Sequence, residues 1–413
     1  MGQNGDLLGT KLGHDGKDTP LSDIRVIEMG QLLAGPFAGQ LLGDFGADVI
    51  KVEDPGVGDP MRQWGREKPH GLSLWWPVVA RGKRSLTTNL RTKEGQDIIR
   101  DLVKESDILI ENFRPGTLEK WGLDYETLKS INKKIIMVRV TGYGQSGPYS
   151  HKAGYGSIGE AMGGLRYVTG DPSTAPSRAG ISIGDSLAAT FAALGAMMAL
   201  HSRDRTGVGQ VVDVAIYEAV LAMMESLIPE FTLANYIRER TGSILPNVAP
   251  SNIYPTKDAA LILIAANQDS VFSRLCDAME KPEYVSDPRF STHSSRGAHQ
   301  GLLDEIISEW TSRHSTSELE VILDKNGVPQ GKIFRAPDML SDPHFAARNA
   351  IVGIEHPDFG SILMQNVAPK LSDTPGYIRW AGPELGAHTT EILQSLLGYS
   401  PNQIKQLSTK GVI

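Results

Sequence analysis

At 413 residues the chain is too long for one small core, and two lobes are expected. Its 40% hydrophobic and 22% charged residues are ordinary for a globular enzyme, and a net charge of −7 argues against non-specific nucleic-acid binding. The single cysteine, Cys276, excludes an intrachain disulfide and any multi-cysteine metal site, and suits a reducing, cytoplasmic compartment.

Residues 1–20 are polar and glycine-rich and read as a flexible tail, with no apolar core of signal-peptide length. Asp6 stands where a myristoylation motif wants Ser or Thr. No apolar run is expected to be long enough to span a bilayer, because Asp, Glu or Gly interrupts each one.

Residues 21–228 read as a large domain. A strand over Asp23–Met29, a helix from Pro36 to Phe45 and a strand over Asp48–Val52 make one βαβ unit. A strand over Arg84–Asn89, a helix over Lys93–Lys104 and a strand over Asp107–Glu111 make a second, and Lys134–Val140 is expected to close the sheet. This alternation predicts an α/β fold with a parallel, Rossmann-like sheet. The turn Gly30-Gln31-Leu32-Leu33-Ala34-Gly35-Pro36 lacks the G-x-G-x-x-G dinucleotide fingerprint, so the fold does not bring NAD with it.

The stretch AGISIGDSLAATFAALGAMMAL, Ala179 to Leu200, reads as a short strand or loop that delivers Asp185 to the start of a buried helix. Its many small residues allow close packing, and helix N-terminal amides favour an ionised carboxylate. Two readings stay open on these residues: an ordinary N-cap, or a carboxylate nucleophile. A polar turn, HSRDRTGVGQ, then leads to a strand at Val211–Val214 and a helix from Ile216 to about Ile228. Residues 229–250 collect Pro229, Pro246 and Pro250 and read as a linker into a smaller α/β domain, 251–333, after which 334–413 return to the first lobe. Expected in the small domain are a strand Ala260–Ala265 and helices near Val271–Met279, Leu302–Thr311 and Ser315–Leu323. A late helix is expected at Glu391–Leu397.

Three groups of basic and polar residues fall near predicted strand ends: Arg81-Gly82-Lys83-Arg84, Glu111-Asn112-Phe113-Arg114-Pro115-Gly116, and Lys51 with Arg62 and Arg66. Such a crest suits an adenine ring and several phosphates. Solvated surface charge is the alternative for any one of them.

The motifs LLAGPFAGQLLGDFGADVIKVE, KRSLTTNL, DILIENFRPGTLEKWGLDYETL, VTGYGQSGPYSHKAGY, GDSLAATFAALGAMMAL, TGVGQVVDVAIYEAV, GVPQGKI and PELGAHTTEIL, in this order, resemble those of family III CoA-transferases. The resemblance implies open-ring chains threaded through each other as an interlocked, obligate homodimer. It also implies that Asp185 is the nucleophile. CoA contacts would fall on Leu32, Leu33, Thr88, Arg91, Asn112, Phe113 and Lys120, with Ala153 and Tyr155 nearby. Where formyl-CoA transferase has an Arg after the corresponding strand this chain has Asp54, which questions the phosphate contact there. The partners implied are an acyl-CoA and small carboxylic acids, with no metal or redox cofactor required. Gln31, Tyr155 and the amides near Leu33 and Ala34 are the candidate donors to the oxyanions.

Two other readings compete. A racemase similar to α-methylacyl-CoA racemase would need a His in an A-G-H motif, and Ala153-Gly154-Tyr155 supplies a Tyr that is a poor base near neutral pH. A non-catalytic CoA-binding protein would have no need of the Gly-Asp-Ser motif. The stretch ILPNVAPSNIYPTKDAALILIAANQDS has no glycine run, which leans away from oxalate and towards larger acids such as succinate with another dicarboxylate. Arg178 is a candidate clamp for a distal carboxylate, with a plain surface charge as the alternative.

Overall fold

The computed structural model describes residues 19–413, so nearly all of the expected tail lies outside the described residues. Two compact units emerge. The larger holds the chain through Leu165, Ala179–Ser226 and Pro343–Ile413, and the smaller holds Arg166–Arg178 and Leu227–Asp342.

The larger unit is built on a six-stranded sheet: β1 (Arg25–Glu28), β2 (Asp48–Glu53), β3 (Lys83–Thr87), β4 (Ile108–Glu111), β5 (Ile136–Thr141) and β6 (Val211–Ala215). All pairs are parallel and the order is β3-β2-β1-β4-β5-β6, a doubly wound arrangement whose switch point lies between β1 and β4. Lys134–Val140 therefore does not close the sheet; β6 pairs outside β5. The interior strands are near-continuous Val and Ile runs because helices cover both faces.

Helix α1 (Ala34–Asp44) connects β1 to β2, and α2 (Lys93–Lys104) connects β3 to β4. Thr92 caps α2 by accepting the Gly95 N–H, and Ile98, Ile99, Leu102 and Val103 form its buried stripe. Each such side chain contributes about 1.5–3 kcal/mol on burial. A short helix α3 (Gly156–Met162) precedes α4 (Ile183–Thr206), which packs against α1, β5 and β6. Ala188, Ala189, Ala192, Ala196 and Ala199 are its buried face, and a Cβ on Gly195 would stand 2.6 Å from Val212 Cγ1.

Two expectations for this helix change. By length and composition alone it could cross a membrane, contrary to the reading that no run was long enough; here its small-residue face lies on the sheet. The polar HSRDRT is its last turns rather than a loop, ended by Gly207 at φ 72°. The helix expected from Ile216 to Ile228 is broken, into Ile216–Leu221 and Leu227–Ala234.

The smaller unit has a three-stranded antiparallel sheet, β7 (Ser251–Pro255), β8 (Leu261–Ala265) and β9 (Gln330–Lys332). Helices α5 (Asp269–Ala278), α6 (Gln300–Thr311) and α7 (Thr316–Lys325) share with the sheet a core that includes Ile262, Ile264, Phe272, Leu275, Cys276, Leu303 and Leu323. This unit includes the stretch read as a linker. The later part of the larger unit adds an antiparallel hairpin, β10 (Ile351–His356) and β11 (Gly360–Gln365), and a final helix α8 (Pro401–Thr409).

Candidate active site

The carboxyl ends of β1, β2, β3 and β4 surround a cleft of about 300 Å³, beside the switch point where doubly wound sheets bind ligands. Gln31, Asp54, Thr88, Arg91, Phe113 and Trp121 are among its lining residues. Phe113 and Trp121 meet edge to face with ring centroids 5.3 Å apart, an apolar wall suited to a flat ring. Thr88 is buried, and its Oγ1 has no hydrogen-bond partner among the described residues. Arg91 is exposed and pairs with Asp54 at 3.1 Å, so this guanidinium lining the cleft already has an anion beside it.

Most of the cations read as a ligand-binding crest are in fact internal counter-charges. Strand register places Glu28 opposite Lys51. Lys51, 1% exposed, reaches Glu28 at 3.1 Å and Asp59 at 2.7 Å, while Lys83 reaches Glu28 at 2.6 Å. Arg81 forms a buried pair with Asp44, Arg84 pairs with Asp48, and Arg62 pairs with Glu53 while lying over the Trp76 ring. A buried charge must be matched by another, and these are matched within the protein. Burial opposes ionisation of Asp59, but the Lys51 ammonium with the Met61 and Leu32 N–H groups outweighs it and holds this carboxyl below the usual range. Burial likewise works against the Lys51 ammonium, and the surrounding Asp59, Glu28 and Glu53 carboxylates raise its pKa in spite of it. Arg66 remains exposed, and so does Arg114.

Asp185 belongs to the other end of the same carboxyl edge. It is the third residue of α4, in the first turn, and Ser182 occupies the N-cap position; the N-cap reading of Asp185 is corrected. A side chain in that turn lies beside the free amides of the helix start. Its half-buried carboxylate lies against Gly156, the first residue of α3: a Cβ there would stand 2.6 Å from Asp185 Cγ and 2.8 Å from Oδ1. The buried Glu160 of the same helix accepts the Gly184 N–H at 3.3 Å. Gly154 in turn packs on Gly142, just past β5, which ties this turn to the sheet edge.

The residues expected around CoA therefore separate. Gln31, Thr88, Arg91 and Phe113 line one cleft. Asn112 stands beside it, with both side-chain polar atoms bonded to the Gln31 backbone. Leu33 is packed with Met61, Trp76, Val79 and Ala80 as core, and Leu32 is partly buried beside it. Lys120 and Ala153 are exposed and outside the cleft lining, and Thr117 and Trp121 line it instead. Tyr155 is 66% exposed and occupies the N-cap position of α3, next to Gly156. Arg178 is exposed and belongs to the smaller unit. Gly156, Glu160 and Trp121 were not singled out from the sequence. The spacing of glycines in Gly154-Tyr155-Gly156-Ser157-Ile158-Gly159 was the available signal for the first two.

The profile of CoA-transferase family III matches residues 21–389. A succinyl-CoA–D-citramalate CoA-transferase of Chloroflexus aurantiacus is 59% identical over 394 residues, covering 95% of this chain and 98% of that protein. The human succinyl-CoA:glutarate CoA-transferase is 32% identical over 95% of this chain and 90% of its own. A CaiB/BaiF family protein from Brucella suis superposes with a TM-score of 0.81 at 34% identity, over 92% of this chain and all of that one. With a parallel-sheet α/β fold, the ordered motifs and these matches along nearly its whole length, the chain belongs to CoA-transferase family III.

Proposed function

We propose that the protein transfers CoA from succinyl-CoA to a dicarboxylic acid of the citramalate type, with Asp185 as nucleophile. The observation that carries this is the seating of the Asp185 carboxylate in the first turn of α4 against a glycine. The 59% identity to a D-citramalate enzyme supports the choice of acids.

Asp185 attacks the thioester carbonyl, the C–S bond breaks, and CoA thiolate leaves a succinyl–aspartyl anhydride. The thiolate attacks the aspartyl carbonyl, the C–O bond breaks, succinate departs, and an Asp185–CoA thioester remains. The acceptor carboxylate attacks that thioester and again expels thiolate, which takes the acceptor's acyl group from the second anhydride and restores Asp185. Gln31 and Tyr155 are the proposed donors to the oxyanions, and the Gln31 cleft is the proposed CoA site. Within that reading Thr88, Arg91 and Phe113 contact the CoA portion.

The working form in this proposal is an interlocked homodimer. The larger unit leaves Ile158, Met162, Leu194, Met198 and Met223 at 43%, 46%, 47%, 62% and 52% exposure, apolar surface of the sort an obligate partner covers. A racemase reading lacks its base, since Tyr155 stands where a His would be required.

Trapping tests the nucleophile. Wild-type protein incubated with succinyl-CoA and no acceptor should, on adding hydroxylamine, acquire a hydroxamate mapped by mass spectrometry to Asp185, with loss of activity. Asp185→Asn should acquire none. A hydroxamate on another carboxylate, or none with activity intact, removes Asp185 from the role.

A further inference from the structure

The turn from Gly30 to Leu32 is held by side chains arriving from three places in the larger unit. Asn112, just past β4, accepts the Gln31 N–H on Oδ1 at 2.7 Å and donates from Nδ2 to the Gln31 carbonyl at 2.8 Å. Lys51 on β2 donates to the Gly30 carbonyl. Asp59 accepts the Leu32 N–H at 3.0 Å. The Asn112 amide fits against two glycines: a Cβ on Gly30 would lie 3.2 Å from its Oδ1, and one on Gly35 3.5 Å from its Cγ. Leu32 has φ 63°, a left-handed conformation that a leucine keeps only where its surroundings impose it. The residue displayed by this constrained turn is Gln31, exposed on the cleft.

We propose that the Asn112 side chain is a positioning residue for Gln31. An amide that both accepts from and donates to one residue's backbone fixes that residue in place and in direction. A hydrogen-bond donor used on developing charge gains its effect from being fixed before the reaction begins. Lys51 and Asp59 complete the frame from the opposite side, and their mutual ion pair holds both in place. The proposal rests on the reading of Gln31 as an oxyanion donor.

Steady-state kinetics with succinyl-CoA and citramalate test it. Asn112→Ala should lower kcat about tenfold and leave KM for succinyl-CoA unchanged. Asn112→Asp keeps the acceptor for the Gln31 N–H but sets a carboxylate oxygen against the Gln31 carbonyl, so it too should lower kcat with KM for succinyl-CoA unchanged. It also carries the test if the alanine variant does not fold. Gln31→Ala should itself lower kcat, and Gln31→Ala combined with Asn112→Ala should be no slower than Gln31→Ala alone. A raised KM with kcat retained would make Asn112 a CoA ligand and overturn the proposal, as would losses that multiply in the double variant. A wild-type kcat in Gln31→Ala alone would instead refute the Gln31 reading, and the positioning role with it.

Discussion

The two ends of the carboxyl edge of the sheet are held in opposite ways. Around β1, β2 and β4, loops are fixed by what side chains supply: a buried lattice of Glu28, Lys51, Lys83 and Asp59, and an asparagine bonded to the Gln31 backbone. Around β5 and α4, beside the Glu160 acceptor for the Gly184 N–H, the turn of Asp185 depends on what side chains omit. Gly156 leaves room for the carboxylate, Gly195 for Val212, and a file of alanines lets α4 lie on the sheet. A charged lattice stabilises only while it is complete, and removing one partner leaves another charge buried and unmatched. Close packing on glycine is sensitive instead to the addition of a single methyl group.

The largest effect expected is on the charged side. Lys51→Met leaves Asp59 without its ammonium, and should destabilise the protein by about 3–5 kcal/mol in denaturant unfolding. A loss under 1 kcal/mol would show that this lattice is dispensable. The pH dependence follows from Asp59. Its carboxyl titrates lower in the folded state than in the unfolded chain, so its stabilisation is fully present above the unfolded pKa, about 4, and is lost as pH falls through the folded value. Lys51→Met should flatten that acid limb, and an unchanged limb would point to other carboxylates.

Next comes the glycine side. Gly156→Ala places a methyl group within 2.6 Å of Asp185 Cγ and must turn the carboxylate away. A misplacement of this order costs about a hundredfold in rate. The drop should appear in kcat and in hydroxamate yield at Asp185, while the thermal midpoint stays near wild type. Full activity in this variant would mean that the site tolerates another carboxylate rotamer.

The smallest effect expected is at the mouth of the cleft. Asp54→Asn releases Arg91 from an exposed pair worth at most about 1 kcal/mol. KM for succinyl-CoA should fall by about fivefold or less, and more so at low ionic strength. No change at low salt would show that Arg91 does not meet the ligand's phosphates.

Much of this arrangement was legible in the chain itself. The helix read over Lys93–Lys104 matches α2, the strand–helix alternation indicated the parallel sheet, and small residues after Asp185 marked a tightly packed helix. These are local properties, set by backbone geometry and by neighbours a few residues away. The basic residues near strand ends were the point of failure. Lys51, Lys83, Arg81 and Arg84 have the same composition whether they face a ligand, water or a buried acid, and apart from Asp59 the acids that neutralise them lie 23 to 55 positions away and are brought close only by the fold, as register brings Glu28 opposite Lys51.

The alternation of β1 to β4 with α1 and α2, and the delivery of Asp185 to the first turn of α4, were thus determined by sequence alone. Which charges are already matched, whether Asn112 is turned to a ligand or to Gln31, and what Gly156 makes room for were decided by tertiary structure. The physical reason is that Coulomb and steric terms act over a few ångströms of space. That distance is created only when β1, β2 and β4, and separately α3 and α4, are brought side by side.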